Sequence, residues 1–179
     1  NEGAHFGAGG PKDGQPPEPV LMYLPRGEDN SASSQAFISG EAWSALQGDG
    51  NFVHLSSGSG SAWLVMRQNV NGRWQAAATR ISGNFDSGPQ CARVNPNDGH
   101  LYVNGMTGWG TYTPKEGSFQ RVRYTGGTQA VPIGFEARDN GILIRFSKPV
   151  ADTQRTAFFA QCWNYLYGPQ YGSPEYSVK

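Results

Sequence analysis

Residues 94–124 read VNPNDGHLYVNGMTGWGTYTPKEGSFQRVRY, and the order of strand and turn signals in this stretch decides the fold. Asp98-Gly99 stands between alternating apolar residues, a strong short-range hairpin signal, because a type I′ turn needs positive φ at both central positions. The stretch reads as a strand, the Asp98-Gly99 turn, a second strand over 101–104, a Gly- and Trp-bearing loop, and a third strand over 119–125. That is most of one antiparallel blade, with a preceding blade before it and a further β segment after it.

Working upstream, residues 52–56, 62–70 and 73–81 read as three successive strands. Gly58-Ser-Gly-Ser61 separates the first two, and Asn71-Gly72 is a second type I′ signal between the last two. Both faces of Trp63-Leu-Val-Met66 are apolar, which places that strand inside a sheet stacked between other layers. The unit ending near Gly83 and the unit ending near Gly126 are offset by about 43 residues, the size of a propeller blade. Residues 35–38 read as a strand and 39–46 as a short helix, with Ser39 as N-cap and Trp43 and Leu46 on one packed face. Residues 20–24 read as a short apolar strand that Pro25 ends. Residues 1–19 are Gly/Pro-rich and read as a loop or extended arm.

Downstream, 126–130 is a small, polar linker. Residues 133–138 and 142–146 alternate in hydropathy around Asn140-Gly141, as a half-buried sandwich-type hairpin does. A short helix over 152–160 and a strand over 161–167 follow, and 168–179 reads as irregular. The fold class is therefore all-β and antiparallel. Residues 1–126 form a β-propeller fragment of about one and a half blades, and 131–179 an incomplete Ig-like or fibronectin-like segment. An immunoglobulin-like sandwich takes ~100 residues, and a propeller closes only with several blades. The expectation is an excerpt from a longer, multi-domain protein.

Composition agrees with this class. There are 25 Gly and 12 Pro, with charged residues at 16% and aromatics at 12%, as tight turns and half-buried strands demand. Fourteen acidic and fourteen basic side chains give a formal net charge of zero. That argues against nucleic acid, which needs a basic surface. No apolar run approaches the ~20 residues of a membrane span. Cys91 and Cys162 match neither a CxxC nor a CxxCH motif. They are either one disulfide in an oxidising compartment or two separate buried thiols.

Candidate chemistry is concentrated in two loops. Arg26-Gly-Glu-Asp-Asn-Ser31 is the densest polar cluster, set directly after an apolar run. Asp29, Asn30 and Ser31 offer oxygens to a hard cation such as Ca²⁺, with Asp29 the metal candidate, or hydrogen bonds to a sugar or cofactor. The alternative is an Asx-type turn satisfying its own backbone. Trp109, between Gly108 and Gly110, and Tyr112 are candidates for stacking on a sugar face, with Trp109 alternatively a core residue. The histidines are His5, His54 and His100, and His5 has no partner nearby in sequence. His5 reads as a loop residue and His100 as a solvent-facing strand residue; His54, inside a strand, can face either way.

Three runs together carry a resemblance: PEPVLMYLPRGEDNSASSQAF (17–37), RVNPNDGHLYVNGMTGWGTY (93–112) and FQRVRYTGG (119–127). They resemble the last propeller blades of large secreted bacterial redox proteins, whose propellers are similar to pyrroloquinoline-quinone (PQQ)-dependent glucose/sorbosone-type dehydrogenases. GILIRFSKPVADTQ (141–154) and QCWNYLYGPQYGSPEYSV (161–178) resemble the start of the Ig-like segment that commonly follows, with c-type cytochrome or blue-copper modules elsewhere in such chains. The resemblance runs from about residue 17 to the end. It is specific to architecture, not to an activity.

It implies a periplasmic or extracellular location and PQQ with Ca²⁺ in the intact protein. The implied partners are other blades, Ig-like strands and electron-carrying modules of the same polypeptide. Arg26, Asp29 and Asn30 would line an axial funnel, with Asn104 and Trp109 on neighbouring loops. A quinone-dependent dehydrogenase needs a base, usually histidine. None of the three histidines matches that role by position, so the chain is expected not to catalyse by itself. The alternative expectation is a non-catalytic carbohydrate-binding or scaffolding β-module.

Overall fold

The computed structural model describes residues 20–25, 27–81, 83–108, 110–151, 163–165 and 175–177. Among them the protein is all-β, with antiparallel sheets and one 3-10 turn. Strands β1 (Ala32–Phe37), β2 (Phe52–Ser56), β3 (Ser61–Val70) and β4 (Arg73–Arg80) form a four-stranded meander in that order. Strands β5 (Pro89–Val94), β6 (Leu101–Met106) and β7 (Gly117–Val122) form a three-stranded meander. Strands β8 (Pro132–Arg138) and β9 (Gly141–Phe146) pair as a hairpin, and β10 (Trp163–Tyr165) pairs with β11 (Glu175–Ser177).

Local turn chemistry accounts for one hairpin and not for another. Asn71 and Gly72 have φ of 51° and 84°, the two positive values a type I′ turn requires, and β3 and β4 pair in unbroken register from Val70↔Arg73 outward. The β5–β6 connection corrects the Asp98-Gly99 expectation. Gly99 alone has positive φ, at 69°, and Asn95 N donates to His100 O across the neck of a longer loop. Pro96 fixes a negative φ inside it. Asn95 Oδ1 and Asp98 Oδ1 accept from the backbone N–H groups of Asn97 and His100, so side chains shape this turn.

Other expectations shift in detail. Residues 20–24 are not a strand; they wall one face of the first sheet. The short helix expected over 39–46 is a 3-10 turn, Glu41–Trp43, whose N-cap is Gly40 with no side-chain cap bond. In the β8–β9 turn Gly141 is already paired with Arg138, so Asp139 and Asn140 make the bend. The tail read as irregular contains β11. The helix expected over 152–160 lies outside the described residues.

The core lies between the two meanders. Direct cross-strand partners share a face, so Ala36↔Val53↔Leu64 and Leu55↔Ala62 point one way, and Gln35↔His54↔Trp63 with Phe37↔Phe52↔Val65 point the other. The first set packs against Ala92, Leu101 and Val103 of the second sheet. The apolar-on-both-faces reading of β3 holds: Trp63, Leu64, Val65 and Met66 are all buried. β1 and β2 lie against β5, and Ser33 Oγ reaches both Leu55 O (3.1 Å) and Pro89 O (2.6 Å) across that seam. Trp43, only 2% exposed, plugs one end of the core, and its Nε1 donates to Gly99 O at 2.8 Å.

The β8–β9 hairpin is fastened to the first sheet. Ile133 packs at the edge of the core. The buried Asn51 amide donates to Leu46 O and to Ile133 O, both at 2.8 Å, and Ala137 N donates to Gln68 Oε1 at 3.0 Å. Arg145 pairs with Glu136 on its own hairpin and with Asp49 on the β1–β2 connection.

Leu64 sits on the strand that both faces bury, so Leu64→Ala should cost about 2–5 kcal/mol through lost transfer energy and an uncollapsed cavity. Phe119→Ser, on the open face of β7, should cost less than about 1 kcal/mol. Urea denaturation of the two variants checks this; equal losses would mean the core is misplaced.

Candidate functional site

Asp29 leaves its loop and turns into the sheet. The chain turns back after Pro25, with Glu28 N and Asp29 N both donating to Pro25 O. Asn30 then docks on the β2–β3 turn. Asn30 O accepts from Gly58 N at 2.8 Å, and Asn30 N donates to Ser56 Oγ at 2.9 Å. Gly58 is needed there for space: a Cβ would stand 2.7 Å from the Asn30 side chain and 2.8 Å from its carbonyl oxygen. Ser31 O accepts from Ser57 N, and Ser31 Oγ donates to Asn30 Oδ1. The backbone groups of Asn30 and Ser31 are thus met by the β2–β3 turn. The Asn30 side chain accepts from the Ser31 hydroxyl and from no backbone N–H among the described residues, so the bonds are not those of an Asx-type turn.

With the loop pinned, the Asp29 carboxylate meets β2. Asp29 Oδ2 lies 3.1 Å from His54 Nε2, with the two side chains 16% and 9% exposed. Gln35 Nε2 on β1 lies 3.1 Å from His54 Nδ1. With Gln35 donating, the ring carries its proton on Nε2 and gives it to Asp29, so the three side chains form one directed chain, Gln35→His54→Asp29. Ser56, Ser59 and Ser61 continue the polar seam with hydroxyl contacts of 2.7 Å. Asp29 Oδ1 is buried with no hydrogen-bond partner among the described residues.

Burial pushes the Asp29 carboxyl up, but hydrogen bonds from His54 and Ser56 outweigh it and hold it below its ordinary 3.8. Desolvation and hydrogen bonding to the charged form act in opposite directions here, and the second dominates.

The chain forms the polar corner of a cavity of about 570 Å³ between residues 20–24 and the outer face of β1, β2 and β3. Phe37, Phe52 and Val65 supply its apolar floor. The Arg67 guanidinium lies over both the Phe37 ring (5.2 Å) and the Trp74 ring (5.1 Å) on the same face, a cation–π stack.

A second, polar cleft of about 450 Å³ opens at the end of the sheets, lined by Ser31, Ser33, Ser57, Gln90, Gly108 and Thr111. The β6–β7 loop reaches it because Tyr112 N donates to Gly58 O at 3.0 Å. Tyr112 is 81% exposed.

The sequence candidates thus separate. Asp29 enters the cavity, while Ser31 and the Tyr112 loop meet at the cleft. Asn104 is not on a loop: it lies within β6 on the outer face of its sheet, opposite Phe119 and Cys91, and lines neither opening. Arg26 and Trp109 lie outside the described residues. So does Cys162, the partner Cys91 would have in the disulfide alternative; the half-buried Cys91 thiol is free. Among the three histidines, His5 is outside the described residues. His100 sits in the β5–β6 turn and not in a strand, with its Nδ1 buried and unpartnered.

His54 and Gln35 were the partners that sequence reasoning missed. The signal was present: in FVHLS and ASSQAF, a polar residue stands at the same alternate positions as large apolar ones. Strand periodicity puts Gln35 with Phe37, and His54 with Phe52. Which loop carboxylate would meet them lies 25 residues away in sequence.

Neither expected cofactor fits the described residues at Asp29. His54 presents an N–H to one carboxylate oxygen, and no group of three or more His, Cys, Asp or Glu stands together among the described residues. Ca²⁺ takes 6–8 oxygen ligands, and one of the two Asp29 carboxylate oxygens is already engaged by His54. PQQ is a polycarboxylate, and the described cavity lining offers it the Asp29 charge and no cation.

No protein-family profile matches the chain, and neither a curated protein nor a solved structure matches it. Among the described residues no helix is long and apolar enough to cross a membrane.

Because the folded Asp29 carboxyl titrates below its unfolded value, its stabilising share is complete above the ordinary 3.8 and is lost as pH falls through the lower folded value. Asp98 and Glu136 are lowered too, so Asp29→Asn should reduce the acid loss of stability without abolishing it. Melting temperatures between pH 6 and pH 2 read this. Parallel curves for the two proteins would show that Asp29 contributes nothing.

Proposed function

We propose that this chain is a non-catalytic portion of a secreted, multi-domain redox protein. In this reading β1–β4 and β5–β7 are consecutive blades of a sugar-dehydrogenase-like β-propeller. The segment from 131 onward begins an Ig-like unit, so that 1–126 and 131–179 belong to different modules of the parent. The observation that carries it is strand order. β4, the far edge of the first meander, leads through residues 81–88 to β5, which lies back against β1, the near edge. Successive propeller blades connect outermost strand to innermost strand in this way.

Two further observations support the reading. The outer face of the second sheet presents Phe119 at 73% exposure, stacked on Tyr102 with ring centroids 5.6 Å apart, and Met106 beside it, an apolar surface that a following blade would cover. Both ring nitrogens of His54 are engaged, by Asp29 and Gln35. A general base needs a lone pair within reach of substrate, and this imidazole keeps none free. The protein's part is then scaffolding. PQQ and Ca²⁺ belong to other blades of the ring, and cytochrome or copper modules of the same polypeptide take the electrons. The location is periplasmic or extracellular.

A second reading, a carbohydrate-binding β-module, is favoured by one observation: Tyr112 stands exposed beside a cleft lined with hydroxyl and amide groups, the combination that holds a sugar by stacking and hydrogen bonding.

The polypeptide carrying this chain with its neighbouring segments, supplied with PQQ and Ca²⁺, is expected to reduce a dye with a sugar or alcohol, and His54→Gln to leave kcat within about twofold, as a group outside the chemistry would. No turnover across a broad sugar and alcohol panel would sink the redox reading. Retardation in polysaccharide gels that disappears in Tyr112→Ala would establish the second.

A further inference from the structure

Arg67 is a cation without an acceptor. It stands on β3 two residues beyond Val65, and strand periodicity keeps the two side chains on one face. Its guanidinium lies over the Phe37 and Trp74 rings, which are 62% and 49% exposed. Aromatic rings attract the charge but carry no oxygen to accept from its five N–H groups. Arg67 Nη2 rests against Gly50, where a side chain would collide with it, and the neighbouring Asp49 pairs with Arg145 instead. Among the described residues no atom accepts a hydrogen bond from Arg67. Its Nε is enclosed, while the two Nη groups, also unpartnered, are open to solvent.

This cation borders a cavity of ligand size. Phe37, under the guanidinium, is also a wall of the cavity of about 570 Å³ beneath residues 20–24, within the ~300–1,000 Å³ of small-molecule pockets. Phe37, Phe52 and Val65 make its apolar floor, and Asp29 and His54 stand at the far end. His54 is paired with Trp63, and Arg67 is four residues further along β3, about 13 Å at the rise of a strand. One Asp29 oxygen is met by His54 and the other is enclosed. The acidic end therefore offers a ligand little, and the Arg67 end offers unmet donors.

We propose that this face binds a small amphiphilic carboxylate, its hydrocarbon chain over Phe37, Phe52 and Val65 and its carboxylate accepting from the two Arg67 Nη groups. A guanidinium fork matches the two oxygens of a carboxylate, and such charge-assisted bonds are about twice as strong as neutral ones. The Phe37 and Trp74 rings hold the guanidinium before the ligand arrives, so little ordering is lost on binding. One guanidinium answers one negative charge. The Asp29 charge at the far end sets the direction, with the head at Arg67 and the tail toward His54. An amine of the same chain length would bring its charge against the guanidinium and be disfavoured.

The proposal stands apart from the blade reading, which rests on the β4-to-β5 connection, and each can fail without the other. Three probes of one chain length test it on the full chain by isothermal titration: octanoate, octan-1-ol and octylamine. Octanoate is expected to bind, the alcohol about tenfold more weakly and the amine no more tightly than the alcohol. Arg67→Met, which keeps an unbranched side chain beside the two rings, should bring octanoate and octan-1-ol to within about twofold of each other. Should that variant not fold, the Arg67 Nε–H resonance of the unmutated protein gives a second readout: octanoate shifts it further than octan-1-ol does. Equal binding of octanoate and octan-1-ol, tighter binding of the amine, octanoate binding unchanged in Arg67→Met, an Arg67 resonance that octanoate leaves unmoved, or binding of none of the probes would each overturn it.

Discussion

The packing of two antiparallel meanders through one apolar seam is the constraint on which the rest depends. Val53, Leu55, Ala62 and Leu64 face Ala92, Leu101 and Val103, and strands so placed have no freedom of register, because a slip of one residue would turn each set outward. Once the register is fixed, the opposite face is fixed as well. Gln35, Phe37, Phe52, His54, Trp63 and Val65 must point away from the seam. The cavity, its polar corner and the Arg67 stack are all consequences of that second face, which residues 20–24 partly cover.

A polar pair at the back of a strand is stable only if its neighbours are in place first. Asp29 is held by backbone: Pro25 O closes the bend behind it, and Asn30 is bonded to Ser56 and Gly58 in front of it. The glycine at 58 lets these segments approach to a distance no Cβ would permit. Asp29 and His54 are therefore brought together by two loops whose backbone groups bond to one another, as buried polar atoms require. The same stitching carries Tyr112 to the neighbouring cleft through Gly58 O.

How much of this was legible in the sequence follows from how local each determinant is. Asn71-Gly72 is legible because two adjacent residues decide it. Asp98-Gly99 carries the same signal, yet Pro96 and the side chains of Asn95 and Asp98 impose a longer loop. The apolar run at 20–24 has strand composition but walls the outer face of the first sheet, and hydropathy does not distinguish covering a sheet from joining one. Asp29 was visible as a candidate because it sits in a polar cluster after an apolar run. Its partner His54 was visible only as a polar residue in a buried strand, since pairing them needs the fold. β11 was hidden in a Gly/Pro-rich tail whose few strand formers are set by pairing with β10.

The single amide of Asn51 has a wider effect than its size suggests. Both of its hydrogens are committed, one to Leu46 O and one to Ile133 O, and the residue is buried. If the β8–β9 hairpin peeled away, Ile133 O would find water, while the Asn51 hydrogen would stay enclosed and unanswered. Detachment of the hairpin is therefore coupled to loosening of the β1–β2 connection that holds Asn51. The change in sequence pattern after Gly126 marks a boundary in composition, but the Asn51 amide bonds across it and ties the β8–β9 hairpin to the first sheet.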